Sequence, residues 1–229
     1  LHIMFENSGV QQGDKIALCG RNSACWAVAF LATLTYGAVA VPILHEFTAE
    51  QIHNIVNHSG AKLLFVGDVV ATVIDATKMP DLEGIIYIPD YSLVVSRTEK
   101  LTYAREHLNE MFGKKFPKYF RQEHVHYRRE TSGEEMALIN YTSGTTGFSK
   151  GVMIPYRAMW SNCDFAKSVL GSTVKAGDSV ISILPMAHMY GMSFEFFFEF
   201  LHGCHIYYLT RVPSPAIIAQ AFSEVKPAI

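Results

Sequence analysis

The sequence predicts an α/β protein on two observations. The first is an alternation of short apolar runs with helix-period segments. Runs at 15–20, 38–43, 62–66, 84–88, 136–141, 179–184 and 204–209 read as buried strands, and the patterns near 27–36, 49–58, 155–170, 189–202 and 214–225 read as helices lying between several of them. The second is composition. With 229 residues, 49% hydrophobic and 17% charged, the chain can bury a core without disulfides or metals.

Taken in order, the elements carry their own signals. The uncharged run 24–44 has the length of a membrane span, but Gly37 and Pro42 interrupt it and its second half turns to Val and Ile. It reads as a helix from about Ala27 to Tyr36 followed by a buried strand. No basic segment precedes it, so no signal peptide is expected. Thr48 and Gln51 form a capping box that opens the next helix, and Ser59-Gly60 closes it. Residues 1–95 therefore form a first α/β subdomain.

Residues 96–133 hold nine of the nineteen Lys and Arg residues and lose the buried-strand character. They read as a basic surface arm, partly helical up to Phe112, whose aromatics could stack on bases or rest on a membrane but more often pack beneath a solvated face. His124 and His126 lack the further ligands a metal needs. Residues 134–229 form a second α/β subdomain. A formal charge of −2 gives no reason to expect nucleic acid as a partner. Cys19, Cys25, Cys163 and Cys204 contain no C-x-x-C pair and fit buried thiols in a reducing cytoplasm.

One stretch carries chemistry. "YTSGTTGFSKGV" (141–152) combines three glycines, several Ser and Thr hydroxyls and one lysine after an apolar strand. Glycines let backbone approach an anion, and hydroxyls and bare N–H groups point at its oxygens, so the loop suits phosphate. It is not a Walker A loop, because counting from Gly144 puts Ser149 where the second glycine should stand. In "SFEFFFEFLHG", Glu195 and Glu199 fall at i and i+4 and read as a solvated face, with Phe194, Phe197, Phe198 and Leu201 covering the core side.

At these residues the sequence resembles the adenylate-forming superfamily of acyl-CoA synthetases, adenylation domains and luciferases. "YTSGTTGFSKG" is similar to its phosphate-binding signature, with Ser149 where proline is usual. "GAVAVPI" and "SGAKLLFV" resemble its early part, and "LPMAHMYGM" (184–192) its following motif. The resemblance implies layered, mostly parallel sheets flanked by helices, as in the large N-terminal domain of such an enzyme. It implies ATP, Mg2+ and CoA as cofactors and co-substrates, and a carboxylic acid, first of all a long-chain fatty acid, as substrate. Thr142, Ser143, Gly144, Thr145, Thr146, Gly147 and Lys150 would hold the phosphates, Thr142 would also help place magnesium, and His188 would act at the carboxylate end of the acyl pocket. Amino-acid or aryl-acid activation and a non-catalytic nucleotide-binding module are the alternatives, and peripheral membrane contact and self-association stay open. The family's adenine, ribose, hinge and catalytic-lysine motifs are not found before Ile229, so the chain resembles the front half of an adenylating domain and is expected to be inactive alone.

Overall fold

The computed structural model describes residues 1–125, 133–142 and 150–228. A seven-stranded sheet has the spatial order β5-β4-β3-β1-β2-β6-β7, with β1 Lys15–Cys19, β2 Val39–Ile43, β3 Ala61–Val66, β4 Gly84–Tyr87, β5 Leu93–Ser96, β6 Met136–Thr142 and β7 Lys150–Pro155. The five inner strands run parallel, and β5 and β7 pair antiparallel at the two edges.

Alternation along each strand feeds two cores. Ile16, Leu18, Leu63, Phe65 and Ile86 point to one face, against α1 (His2–Ser8), α2 (Ala24–Tyr36) and α5 (Glu99–Glu106). Ala17, Cys19, Leu64, Val66 and Ile85 point to the other, against α3 (Ala49–Ser59) and α4 (Asp68–Ala71). A sheet buried on both faces needs such runs of apolar residues, which is why its strands were legible.

The run 24–44 divides as expected. Ser23 caps α2 by accepting the Trp26 N–H, and Gly37, at φ 85°, ends it in a left-handed conformation that a residue with a Cβ adopts only at a cost. β2 follows, and among the described residues no helix is long and apolar enough to cross a membrane. Both halves of the Thr48–Gln51 capping box are present on α3.

Several elements differ from the expectation. β5 and β7 are strands, and α1 and α4 are helices. The basic stretch carries two helices, α5 and α6 (Leu108–Lys115), and has a buried side at Leu101 and Ala104. Several of its cations are internal fasteners: the Arg97 guanidinium donates to the carbonyls of Ala76, Met79, Pro80 and Leu82, and Lys115 pairs with Glu6.

After β7 come α7 (Tyr156–Leu170) and β8 (Ser179–Ser182). The helix expected over 189–202 is three pieces: α8 (Met189–Met192), a π turn (Ser193–Phe197) and α9 (Phe198–His202). β9 (His205–Tyr208) pairs parallel with β8 in a second, two-stranded sheet, and α10 (Pro215–Val225) packs beside it.

Candidate functional site

The inner strands all end on one side of the sheet, where α/β proteins place their ligands. β2 and β6 are registered only at Ala40↔Leu138. Beyond that pair Pro42 has no N–H to donate, which limits the ladder between the two strands.

From the end of β6 the chain turns back into β7, and Thr142 lies opposite Lys150 in the antiparallel ladder. Both residues are exposed. The two ends of the glycine-rich loop thus stand side by side, with a hydroxyl and a cation at the neck of the hairpin. Ser143, Gly144, Thr145, Thr146 and Gly147 lie outside the described residues, as does His126.

The segment 182–188, which joins β8 to α8, is clamped from three directions. Asn22, just past β1, donates from Nδ2 to Leu184 O at 2.8 Å and Ser182 Oγ at 3.2 Å, and its Oδ1 accepts the Met186 N–H at 2.8 Å. Asn140 on β6 donates to Ala187 O at 2.9 Å. Glu195 Oε2 accepts the N–H groups of Ile183 and Leu184 at 2.6 and 2.7 Å. Close approach of α8 demands Gly191, since a Cβ there would sit 2.5 Å from the Pro185 carbonyl oxygen.

His188 is the product of this clamping. It is exposed at the start of α8, and its Nδ1 accepts the Tyr190 N–H at 3.2 Å. An accepting Nδ1 leaves the proton of the neutral ring on Nε2, which is then a donor with no partner among the described residues. Because Asn140 lies two residues before Thr142, one strand holds both the neck of the hairpin and the backbone beside His188. Tyr190 and Phe194, which follow His188 in the chain, pack ring to ring at 4.7 Å between centres with their planes tilted by 34°, and Phe165 meets Phe194 edge-on. They form an aromatic wall at the same end.

The two glutamates are not a solvated face. The wider π turn shifts the helix phase, so Glu199 is buried, 2% exposed, and its Oε2 has no hydrogen-bond partner. Burial, with Glu195 adding to it, pushes the Glu199 carboxyl up to about 8. Burial also raises Glu195, against the pull of the two backbone N–H groups it accepts. Phe196 and Phe198 are the buried aromatics of this segment, whereas Leu201 is exposed.

Among the described residues no three His, Cys, Asp or Glu side chains come together as a cation site. Thr142 offers a single hydroxyl, which does not make a magnesium site without the phosphate oxygens of a nucleotide. A separate groove of about 1440 Å³ opens between α1, α2, α6, α7 and α9, lined by Val28, Phe116, Trp160 and Phe200 among others. It includes neither His188 nor Thr142.

The sequence did not single out Asn22 or Asn140, and Glu195 was expected on a solvated face. Only Asn140 carried a signal, as the one amide inside the apolar run "ALINYT".

The chain belongs to the AMP-binding enzyme family, whose signature matches residues 3–229. The long-chain-fatty-acid–CoA ligase FadD13 of Mycobacterium tuberculosis is 30% identical over 182 residues, 79% of this chain and 32% of that protein. The long-chain-fatty-acid–CoA ligase of Salmonella typhimurium is 25% identical over 201 residues, 81% of this chain and 35% of that protein. The chain thus spans about a third of the length of the curated relatives it matches. Among solved structures, a red-emitting luciferase from Phrixothrix hirtus superposes with a TM-score of 0.79 at 19% identity, covering 99% of this chain and 42% of that one. The N-terminal domain of FACL13 from Mycobacterium tuberculosis gives 0.65 at 23%, covering 97% and 52%. These likenesses establish the layered, mostly parallel α/β fold.

Proposed function

We propose that this chain supplies the phosphate-binding and acid-binding parts of an ATP-dependent, AMP-forming ligase that activates a long-chain fatty acid and passes it to CoA. The observation that carries the reading is the convergence on β6. The Thr142–Lys150 neck and the clamped His188 segment stand on one strand end, as a reaction joining a triphosphate to a carboxylate requires.

In the first step a carboxylate oxygen attacks the α-phosphorus of ATP and pyrophosphate leaves. Lys150, Thr142 and the loop residues Ser143, Gly144, Thr145, Thr146 and Gly147 hold the β and γ phosphates and offset the charge that builds on them. The acid lies against Tyr190 and Phe194, and His188 Nε2–H donates to its carboxylate, turning one oxygen toward phosphorus. A thiolate, that of CoA, then attacks the acyl carbon and AMP departs. Thr142 would be the protein contact of a Mg2+ ion carried by the nucleotide, which would supply further positive charge to the phosphates. The free thiols Cys19, Cys25, Cys163 and Cys204 suit a reducing cytoplasm.

The test is acid-dependent ATP–pyrophosphate exchange by the full-length gene product, with fatty, amino and aryl acids compared. Exchange is expected with long-chain fatty acids. In His188→Ala it should fall at least tenfold while ATP affinity stays within about twofold. Preference for amino or aryl acids would replace the substrate, and ATP binding without exchange for any acid would leave a nucleotide-binding module. The 229-residue chain is expected to show no exchange alone; exchange above a Lys150→Ala control would refute that.

A further inference from the structure

Glu195 belongs to a helical segment whose neighbours are aromatic, yet its carboxylate is turned back onto the segment it follows. One oxygen receives two successive backbone N–H groups at 2.6 and 2.7 Å, short distances typical of charge-assisted bonds. These amides come where the chain leaves β8 and has no further ladder partner of its own: pairing with β9 ends at Ser182↔Tyr208. From there to His188 the backbone has few donors to place. Pro185 has none, Met186 gives its N–H to Asn22, and His188 gives its own to Pro185 O at 2.9 Å. Removing Glu195 would orphan two adjacent donors at the root of the segment, and nothing else described reaches them.

The position depends on the π turn. In an uninterrupted α-helix Glu195 and Glu199 would share a face; with the wider turn Glu195 reaches Ile183 and Leu184 while Glu199 enters the interior. Helices carry such turns at a cost and frequently at functional sites.

We propose that Glu195 is a positioning residue for acid activation: its carboxylate fixes residues 183–188 and, through them, the direction in which His188 presents Nε2–H. The kinetic part of this inference rests on the ligase reading; the structural part does not.

Glu195→Ala and Glu195→Gln, in the full-length gene product, separate the two. Amide hydrogen exchange at Ile183 and Leu184 should accelerate at least tenfold in Glu195→Ala and less in Glu195→Gln, which keeps an acceptor without its charge, while exchange at β1 and β3 is unchanged. In pyrophosphate exchange, Glu195→Ala should raise the KM for the acid about tenfold and leave the KM for ATP within about twofold, with partial rescue in Glu195→Gln. A double-mutant cycle then decides whether Glu195 acts through His188. Adding Glu195→Ala to His188→Ala should cost less than about twofold more, because the ring it aims is already gone. Fully additive losses, an equal rise in both KM values, or unaltered exchange at 183 and 184 would overturn the proposal. If the wild type activates no acid, the ligase reading fails, and the amide-exchange comparison still decides whether Glu195 holds the segment.

Discussion

The two halves of the candidate site are built in opposite ways. The Thr142–Lys150 neck is made by neighbours in sequence, two strands joined by a short loop and paired through their backbones. The His188 segment is held by side chains from three separate places, two of them distant in sequence. Asn22 reaches across 160 to 164 residues and Asn140 across 47, while Glu195 folds back from the following helix. A hairpin tolerates any side chain that fits its strands, whereas a clamped segment depends on particular polar groups whose loss leaves buried partners unsatisfied.

The contrast can be broken at graded cost. The largest effect belongs to the apolar frame common to both halves: Phe65, fully buried in the central sheet, should lose about 3–5 kcal/mol on change to Ala, read as a shift in denaturant midpoint with unchanged slope. A loss below about 1 kcal/mol would mean the frame is loose. Asn22→Ala comes next. It strands the Met186 N–H and the Leu184 carbonyl, and should cost about 1–3 kcal/mol and raise the KM for the acid without changing that for ATP. An equal effect on both substrates would erase the distinction between the halves.

Glu199 gives a smaller effect with a sign. Its carboxyl, ordinarily near 4.5, is pushed up to about 8 in the fold. Between these pH values the folded chain holds a proton that the unfolded chain has released, so stability is full below pH 4.5 and falls as pH rises to about 8, by at most about 1.4 kcal/mol per pH unit. The groups facing it are Glu195 on the π turn and Cys204 and Tyr208 in and beside β9, with Asp178 acting on Cys204. Glu199→Gln should therefore melt at more nearly equal temperatures at pH 5 and pH 8 than the wild type does. Parallel declines in both proteins would place the proton elsewhere.

The smallest effect is expected from the basic helices. Lys114 and Lys115 already pair with Glu110 and Glu6 at the surface. Changing Lys114, Lys115 and Lys118 to Glu should leave exchange activity and binding to anionic vesicles unaltered. Loss of vesicle binding alone would establish a membrane-facing role.

Legibility followed the same division. Strands buried on both faces, the Thr48 capping box and the glycine-rich loop are local patterns, and the sequence showed them. β7 was not legible because it is an edge strand with an exposed outer row, Met153 being 72% accessible, so burial left no mark on its composition. The glutamate pair was misplaced because period 3.6 was assumed through a π turn. Asn22 and Glu195 look like surface polar residues until the chain is closed, since their partners, the Ser182 hydroxyl apart, are backbone groups that carry no sequence signal.

Pro42 has a consequence for how the chain is made. β1 to β5 are complete by Ser96, some forty residues before β6 begins at Met136. During synthesis the first five strands can therefore associate while β2, apolar throughout its length, waits as an open edge. An unguarded edge of this kind invites another nascent chain to add a strand. A proline in its middle interrupts any such intermolecular ladder, as it limits the native one after Ala40↔Leu138. The closing contacts between Asn22 and residues 182–186 span 160 to 164 residues, so on contact-order grounds the His188 segment forms late.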